Sequence, residues 1–484
     1  MYSQLLHHAA MPALLRMTRS RFWAHYRRML RLERKPLEQL RSLQWNRFQA
    51  LLKHACEQVP YYRDRSRESG LRPHDIASPD DIPRLAILTK RQIQRHFPDG
   101  ITAENTHRDD WQYVSTRGTA DRLMAIHDFA KRDTVRAAAV RAADLGGGYR
   151  VGMKSVEIPP NICNIVCGDE GEPMEGVLRH AWNMTRSGTW RDRREIGNLR
   201  GLIERRWIYR RRTYPPFGTH GTNLPQDQLR EYIDRLQRDR PYMLKALPTY
   251  LLQIARHVTT HHLEPLPVRI IKPMGASVSM KMRQFIQAGF TGQYREDYGS
   301  AEFGDMACDC DQRDGLHIFM DLFLIEIVRG GRPVPDGELG KILITDLSNF
   351  AMPMIRYEIG DVGRIVCDAC PCGRAAPRLY VEGRLQDTIV SQTGAIVTND
   401  QLMNYFYSRE DTDQFQLCEN QPGRMELIVV PANGHSPDPT ELKRDLGTLF
   451  QHQIDLAIHP VKTIPAEASG KSRFVKSASY QRLG

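Results

Sequence analysis

Short apolar runs with strand character alternate with helical segments through the middle of the chain. Four of these runs, between residues 155 and 347, read "SVEIPPNICNIVC", "VRIIKPMG", "HIFMDLFLIEIV" and "GELGKILITDL". Their apolar residues include many Val and Ile, and glycine, proline or polar residues lie beside them, as is typical of strands. Strands that alternate with helices build a sheet covered by helices, so this pattern predicts an α/β fold.

The two ends of the chain carry different patterns. Residues 37–65, "LEQLRSLQWNRFQALLKHACEQVPYYRDR", have apolar positions at helical spacing. After residue 385 the pattern restarts with a strand, turn and helix in "GAIVTNDQLMNYFYS", a strand "RMELIVV", a helix "PTELKRDLGTLFQHQI" and a last strand. A chain of 484 residues also exceeds the usual size of one core. We therefore predict a large α/β body with an N-terminal helical arm (1–385) and a small α+β domain (386–484).

Composition places the chain among ordinary globular proteins. Apolar residues make up 41% and charged residues 26% of the sequence. No window approaches the roughly 18 uninterrupted apolar residues of a membrane span, and the first 30 residues lack the pattern of a secretory signal. We expect a cytoplasmic protein without a transmembrane segment.

The net charge of +11 favours anionic partners. Much of it lies in the N-terminal arm and in "RDRREIGNLRGLIERRWIYRRR" (191–212). Solvated helix faces are the simpler interpretation of both. Nucleic-acid binding is only a minor alternative, because no zinc-finger, RNP-type or helix-turn-helix signature accompanies these arginines.

Five of the nine cysteines form two tight groups, "CDC" and "CDACPC". They are Cys308, Cys310, Cys367, Cys370 and Cys372. The other four are scattered. Without a secretory signal, such grouping indicates a metal site rather than disulfides.

Three glycine turns carry polar residues suited to a nucleotide. In "EDYGSAEFGD" a Tyr-Gly-Ser turn precedes Glu302, whose carboxylate could bind a divalent cation beside phosphates. In "RYEIGDVGRI" the ionised Asp361 offers two acceptor oxygens to ribose hydroxyls. In "VEGRLQDTIV" Arg384 suits a phosphate or ribose oxygen. Each turn taken alone is more simply interpreted as a structural turn, but their order and spacing together favour function.

Seven segments, in order, resemble the adenylate-forming enzymes, and within them the branch of phenylacetate-CoA ligases and capsule-biosynthesis ligase-like proteins. They read "VPYYRDR", "LAILTKRQIQRHFP", "KALPTYLLQIARHV", "DYGSAEFG", "RYEIGDVGRI", "CPCGRAAPRLYVEGRLQD" and "SGKSR". The resemblance implies that a carboxylate attacks the α-phosphate of ATP to give an acyl-adenylate and pyrophosphate. An acceptor, by default the thiol of coenzyme A, then displaces AMP. An aryl acid is the family's usual substrate.

The resemblance also implies roles for individual residues. Asp361 and Arg384 would hold the ribose, Tyr298 would lie against adenine, and Glu302 would bind Mg²⁺. Lys471 of "SGKSR" would meet the carboxylate and the α-phosphate, where a compact ammonium suits a point contact. The further nucleotide-binding or acyl-binding residues are Ser115, Thr116, Thr119, Gly275, Ala276, Ser277, Gly299 and Ser300.

The phosphate loop departs from the family pattern, which is rich in glycine, serine and threonine. Its counterpart here is "STRGTADR" (115–122), where Arg117 and Ala120 replace glycines. Gly118 replaces a threonine, and Asp121 and Arg122 replace a Lys-Pro pair. Either this protein holds ATP differently or it has lost efficient adenylation. Gln386 stands at the position where the family usually has an Asp or Lys hinge.

Several members of this branch carry a zinc ion held by cysteines and a histidine. The counterparts here are Cys308 or Cys310, His317, Cys370 and Cys372, with Cys367 as a spare. A closed set of thiolate and imidazole ligands is typical of structural zinc. The alternative is a group of reduced thiols with His317 packed in the core.

Three alternatives to a coenzyme A ligase remain. The acyl group could pass to an amine, a hydroxyl or the thiol of an acidic carrier protein, which would suit the basic arms. The chain could be a degenerate, non-catalytic binding member of the family, as Arg117 and Ala120 would favour. It could also bind nucleic acid through the arginine run. Dimers are common among relatives, so a homodimer is an alternative to a monomer.

Overall fold

A computed structural model gives the structure of most of the chain. It describes residues 20–116, 122–158, 174–189, 199, 210–214, 226–275, 278, 280–409, 411–421, 423–432, 437–451, 454–464 and 473–483.

The described helices are α1 (Phe22–Leu32), α2 (Leu37–Gln58), α3 (Pro60–Ser69), α4 (Lys90–His96), α5 (Phe129–Gly147), α6 (Met174–Ser187), α7 (Gln226–Asp239), α8 (Pro248–Thr260), α9 (Met280–Ala288), α10 (Asn399–Ser408) and α11 (Pro439–Phe450).

The described strands are β1 (Gln112–Ser115), β2 (Met124–His127), β3 (Ser155–Ile158), β4 (Arg211–Thr213), β5 (Met243–Ala246), β6 (Ile270–Pro273), β7 (Gln293–Tyr294), β8 (Asp297–Ser300), β9 (Gly304–Cys308), β10 (Leu316–Ile318), β11 (Phe323–Arg329), β12 (Arg332–Pro333), β13 (Gly340–Asp346), β14 (Tyr357–Val366), β15 (Arg378–Arg384), β16 (Ile389–Val390), β17 (Ile396–Val397), β18 (Thr412–Gln421), β19 (Arg424–Pro431), β20 (Asp455–Pro460) and β21 (Val475–Lys476).

A parallel five-stranded sheet has the strand order β4-β3-β5-β6-β7. Both of its faces are buried, as is usual for parallel sheets. Leu244 and Ile271 pack on one face with Ile254 of α8, the helix that connects β5 to β6. Met243 and Ile270 pack on the opposite face, because successive side chains of a strand point to opposite sides.

The larger sheet is antiparallel, with the order β12-β11-β13-β14-β15-β10-β9-β8. Before both sheets in sequence, β1 and β2 form a separate hairpin. The α/β fold predicted from the alternating pattern is therefore confirmed.

Helix α5 connects the hairpin to the rest of the large body. The side chain of Asp128 caps its first turn by accepting a hydrogen bond of 2.7 Å from the backbone N–H of Lys131. Gly148, with φ of 72°, ends the helix in the left-handed conformation that glycine adopts without strain. The helix packs against α1 and β9.

Lys131 of α5 is a fully buried cation. Its ammonium lies 2.5 Å from the Asp346 carboxylate at the end of β13, and it donates to the Ser348 hydroxyl at 3.0 Å. It also donates to the backbone carbonyl of Phe303 at 3.4 Å. A buried charge persists only when it is paired and hydrogen-bonded, so these contacts fix α5 against the large sheet.

The residues after β15 form a unit with its own core, which we call the small unit (389–483). A four-stranded sheet of order β20-β19-β18-β21 packs against α10 and α11. The rings of Phe406 and Phe415 stack at its centre, 4.1 Å apart. Glu419 fixes the last residues of the unit, since its carboxylate accepts hydrogen bonds from the Ser477 and Ser479 hydroxyls.

The predicted elements of the small unit agree with β17, α10, β19, α11 and β20, but the sequence did not predict β16, β18 or β21. The run "HIFMDLFLIEIV" forms two strands, β10 and β11, rather than a single one. Gln386 lies in a short 3-10 turn, Leu385–Asp387, between the large body and the small unit. This turn supports the boundary near Gln386, which stays a prediction.

In the described part of the chain, no helix is long and apolar enough to cross a membrane.

Replacement of Lys131 by methionine tests the buried ion pair. We expect Lys131→Met to lower the free energy of unfolding by about 3–5 kcal/mol, because it leaves the Asp346 carboxylate buried without its partner. Urea unfolding followed by circular dichroism measures the loss.

The matched control is Lys53→Met, in a pair 4.0 Å from Glu57 whose lysine side chain is 71% exposed. We expect this control to change stability by no more than ~0.5 kcal/mol. Equal losses in the two variants would contradict a special role for Lys131.

Candidate active site

Asp361 and Arg384 face each other across the pair of strands β14 and β15. Arg384 Nη1 lies 3.1 Å from Asp361 Oδ1. The carboxylate is nearly buried, with 9% of its side chain exposed, whereas 57% of the arginine side chain is exposed. The pair therefore presents one buried anion behind an accessible cation.

The second oxygen of Asp361 is also bound. The hydroxyl of Tyr298, on β8, donates to Asp361 Oδ2 at 2.6 Å. Burial raises the pKa of the Asp361 carboxyl, while the charge of Arg384 and the Tyr298 hydrogen bond act in the opposite direction. Sequence reasoning placed Tyr298 against adenine and did not foresee this bond, because the two residues are 63 positions apart.

This contact reveals the shape of the large sheet. Strand β8 is an edge strand, and β14 lies four strands away in the hydrogen-bonded order. Neighbouring strands are nearly 5 Å apart, so a flat sheet would keep Tyr298 far from Asp361. The sheet therefore curls until its edge faces β14.

Glu302 lies two residues after β8 and is 4% exposed. Its backbone carbonyl accepts a hydrogen bond of 2.7 Å from His127 Nε2 at the end of β2. Its Oε2 has no hydrogen-bond partner among the described residues. Burial raises the pKa of this carboxyl, although the neighbouring Ser300 hydroxyl lowers it. The backbone is thus fixed while one carboxylate oxygen is free.

Two predicted glycines provide close backbone approaches. A Cβ on Gly299 would lie 2.8 Å from the carbonyl oxygen of Gly304 on the neighbouring strand. Gly275, after β6, has φ of +77°, which disfavours other residues. Glycine is therefore required at 299 by the neighbouring strand and favoured at 275 by the backbone conformation.

The counterpart of the phosphate loop connects β1 and β2. The backbone N–H of Thr116 donates to the carbonyl of Leu123 at 3.0 Å, and the Thr116 hydroxyl accepts from the N–H of Leu123 at 2.9 Å. The Ser115 hydroxyl bonds to the carbonyl of Thr116. These two predicted residues close the hairpin from which the loop extends. Residues 117–121, with the predicted Thr119, lie outside the described residues.

Three other predicted residues also lie outside the described part: Ala276, Ser277 and Lys471. The segment after Lys471 is described again at Arg473. The Arg473 side chain lies 2.6 Å from Asp387 Oδ1 and donates to the carbonyl of Gln386 at 3.1 Å. The C-terminal motif is therefore tied to the turn where the hinge was predicted.

Four of the predicted metal ligands lie together. Their donor atoms, from Cys310, His317, Cys370 and Cys372, are all within 4.8 Å of one another. Cys310 Sγ lies 3.7 Å from Cys370 Sγ, and Cys372 Sγ lies 3.2 Å from His317 Nε2. This donor set and its burial fit a tetrahedral zinc ion.

His317 is oriented for such a role. Its Nδ1 lies 2.8 Å from the backbone carbonyl of Ala376, to which it donates. The Nε2 lone pair is then directed to the cysteines, as in metal sites where a hydrogen bond to the other ring nitrogen fixes the tautomer.

The prediction of Cys308 as a ligand does not agree with the structure. Cys308 ends β9 opposite His317, but it is buried apart from the four grouped donors. The guanidinium of Arg374 lies 3.9 Å from its sulfur. Cys310 lies beyond the end of the strand and can turn to the group. Cys367 is exposed and is also outside it.

Sequence reasoning missed two residues that support the site. His127 and Lys131 hold the backbone of Glu302 and Phe303 from the other side. Neither belongs to a recognisable motif, and both are more than 170 positions from their partners. A histidine at the end of a strand or a lysine in a helix gives no signal of such a contact.

Comparisons with known proteins extend the resemblance over most of the chain. No protein-family model matches. The chain is 26% identical to the phenylacetate-coenzyme A ligase of Thermus thermophilus, over 74% of this chain and 73% of that protein. It is 22% identical to Protein CapK of Staphylococcus aureus, over 51% of this chain and 55% of that protein.

Among solved structures, a 2-hydroxyisobutyryl-CoA ligase in the postadenylation state has the same fold. Its TM-score is 0.67 at 21% sequence identity, and the match covers 93% of this chain and 92% of that chain. The chain thus has the fold of the adenylate-forming ligases and is a relative of the phenylacetate-coenzyme A ligases.

Proposed function

We propose that the chain is an ATP-dependent, AMP-forming acid ligase. A carboxylic acid would attack the α-phosphate of ATP, so that pyrophosphate leaves and an acyl-adenylate forms. The thiol of coenzyme A would then attack the acyl carbon and release AMP. The observation that carries this proposal is the arrangement of Tyr298, Asp361 and Arg384 beside the free carboxylate oxygen of Glu302.

Asp361 is suited to the two ribose hydroxyls. Each oxygen of an ionised carboxylate can accept two hydrogen bonds, so the hydrogen bond from Tyr298 and the ion pair with Arg384 leave room for one more donor at each oxygen. These two partners also orient the carboxylate, and both act to lower its pKa against the effect of burial. Arg384 is exposed enough to reach a ribose or phosphate oxygen.

Glu302 fits a ligand of Mg²⁺. Burial raises the pKa of this carboxyl, and among the described residues no cation forms an ion pair with it; a divalent cation would supply a direct positive partner. When bound, the metal would neutralise charge on the phosphates of ATP. His127 would hold the peptide of Glu302 in place through its carbonyl.

Lys471 is the proposed cation at the reacting centre. The contacts of Arg473 with Gln386 and Asp387 support this role, because they bring the C-terminal segment back to the end of β15. That strand carries Arg384. Asp387 would therefore help to position the lysine segment beside the nucleotide residues.

We further propose that Cys310, His317, Cys370 and Cys372 bind a structural zinc ion. The four donors come from segments beside β9, β10 and β15. A closed set of four protein ligands leaves no position for substrate. The ion would stabilise the part of the large sheet that carries Arg384 at its far end.

Coenzyme A is the proposed acceptor because the relatives are named as CoA ligases. An amine, a hydroxyl or a carrier-protein thiol, an aryl acid as substrate, a homodimer and a cytoplasmic location all stay predictions. The non-catalytic alternative rests on Arg117 and Ala120. The retained Asp361, Arg384 and Glu302 with its free oxygen count against it.

ATP–pyrophosphate exchange tests the adenylation. With pools of aromatic, fatty and amino acids, we expect wild-type exchange that depends on the acid and is lost in Lys471→Ala. Asp361→Asn should lower kcat/KM for ATP by about 100-fold or more, because charged hydrogen bonds contribute about 1.5–3 kcal/mol each. Tyr298→Phe should have a smaller effect of the same sign.

The matched control is Asp455→Asn, at an aspartate whose side chain is 76% exposed in the small unit. We expect wild-type exchange from it. If folded wild-type protein exchanged with no acid of any pool, the non-catalytic alternative would be favoured. If Asp361→Asn exchanged normally, the ribose role would be wrong.

Metal analysis tests the zinc site. We expect about one zinc ion per chain in the purified protein, and its loss in Cys310→Ser or Cys372→Ser, together with a lower melting temperature. Cys308→Ala is the control, because its sulfur lies outside the group, and it should keep the metal. Zinc that was absent from wild type, or lost only in Cys308→Ala, would contradict the assignment.

A further inference from the structure

Four charged residues, of which Lys272 is buried and the other three are half-buried, lie together near the candidate nucleotide residues. We call them the lysine–aspartate cluster, and they are Lys245 of β5, Lys272 of β6, Asp297 of β8 and Asp305 of β9. Lys245 and Lys272 are direct neighbours in the parallel pair of β5 and β6. The cluster therefore joins the carboxyl end of the parallel sheet to the edge of the large sheet.

The two aspartates of the cluster form ion pairs with Lys272. Its ammonium forms an ion pair with Asp297 Oδ2 and lies 3.8 Å from Asp305 Oδ2. Lys272 is 4% exposed, so this pairing is shielded from solvent. Both carboxylates are thus directed at a single ammonium.

Lys245 differs from the other three members of the cluster in its contacts. It is half-buried, and among the described residues its ammonium makes neither a hydrogen bond nor an ion pair. The charges of Asp305, Asp297 and Glu157 favour the charged form of Lys245, but none of the three carboxylates forms an ion pair with its ammonium. The nearby charge of Lys272, followed by burial, lowers the pKa of Lys245. An anion in direct contact with this ammonium would stabilise its charge.

The strand that carries Lys245 also borders the strand that leads to Gly275. The carbonyl of the next residue, Ala246, accepts a hydrogen bond of 2.9 Å from the N–H of Met274, which precedes Gly275. A Cβ on Gly275 would lie 3.8 Å from the side chain of Leu247. On the other side of the cluster, Asp297 directly precedes Tyr298. An acid whose carboxyl reaches the α-phosphate would have the rest of its structure within reach of this region.

We propose that the substrate acid carries a second anionic group, such as another carboxylate, and that Lys245 binds that group. This inference rests on the proposed function and narrows its substrate class. A wholly apolar acyl group would desolvate Lys245 without pairing its charge, which is unfavourable. A second anion would pair with Lys245 and leave the pairs of Lys272 intact.

The first test compares acids that match in shape and differ in one carboxylate. ATP–pyrophosphate exchange is measured with adipate against hexanoate, and with 4-carboxyphenylacetate against phenylacetate. We expect wild type to favour the dicarboxylate of at least one pair by 10-fold or more in kcat/KM. Lys245→Met, which keeps the length of the side chain, should abolish or invert that preference by raising activity with the monocarboxylate relative to its partner.

Lys53→Met serves as the matched control and should keep the wild-type preference. Circular dichroism and melting temperature establish whether Lys245→Met folds, and Lys245→Gln is the second variant if it does not. A wild type that prefers the monocarboxylates in both pairs, or a preference unchanged in both variants, overturns the inference.

Direct binding separates this inference from the proposed function. Adipoyl-sulfamoyl and hexanoyl-sulfamoyl adenosine share the adenosine part, so calorimetry should detect both if the chain binds acyl-adenylates. We expect at least 10-fold tighter binding of the adipoyl compound by wild type and equal binding by Lys245→Met. Equal binding by wild type would overturn only the inference about Lys245, whereas no binding of either compound would overturn the proposed function as well.

Discussion

The contact between Tyr298 and Asp361 depends on the curl of the eight-stranded sheet, and most of the candidate site depends on that contact. Tyr298 lies on an edge strand and Asp361 near the middle of the sheet. When the edge turns towards the middle, Glu302 follows, because it is only four residues after Tyr298. The same closure gives each oxygen of Asp361 one partner, so a carboxylate can stay buried and still accept ligand hydroxyls.

Buried charge is the second constraint. Lys131 is bound from three directions by groups of the large sheet, and Lys272 is paired with two aspartates. Burial without such partners would cost several kcal/mol for each ion. Among the described residues, Glu302 Oε2 has no hydrogen-bond partner, and the Lys245 ammonium forms neither a hydrogen bond nor an ion pair. The Glu302 carboxylate suits a cation and the Lys245 ammonium suits an anion. This is the arrangement expected if a metal–nucleotide complex and an acid bind between these two residues.

The departures from the family pattern lie where backbone and flexibility matter more than side-chain chemistry. Ser115 and Thr116 close the hairpin that carries the altered phosphate loop, so the base of the loop keeps a defined geometry although its glycines are replaced. At the hinge, Gln386 contributes its carbonyl rather than its side chain to the bond with Arg473. A backbone contact of this kind tolerates the change from aspartate or lysine to glutamine.

Local pattern in the sequence determined the α/β class, most elements of the small unit and the short motifs that contain Asp361, Glu302 and Arg384. These features depend on residues close together in the chain, so propensity and turn chemistry predict them. Only the tertiary structure decided between Cys308 and Cys310, joined Tyr298 to Asp361, and left the Lys245 ammonium without an ion pair among the described residues. Each of these outcomes joins or separates residues on different strands. They depend on how the sheet closes and on which charges remain paired after burial, and no local pattern encodes that.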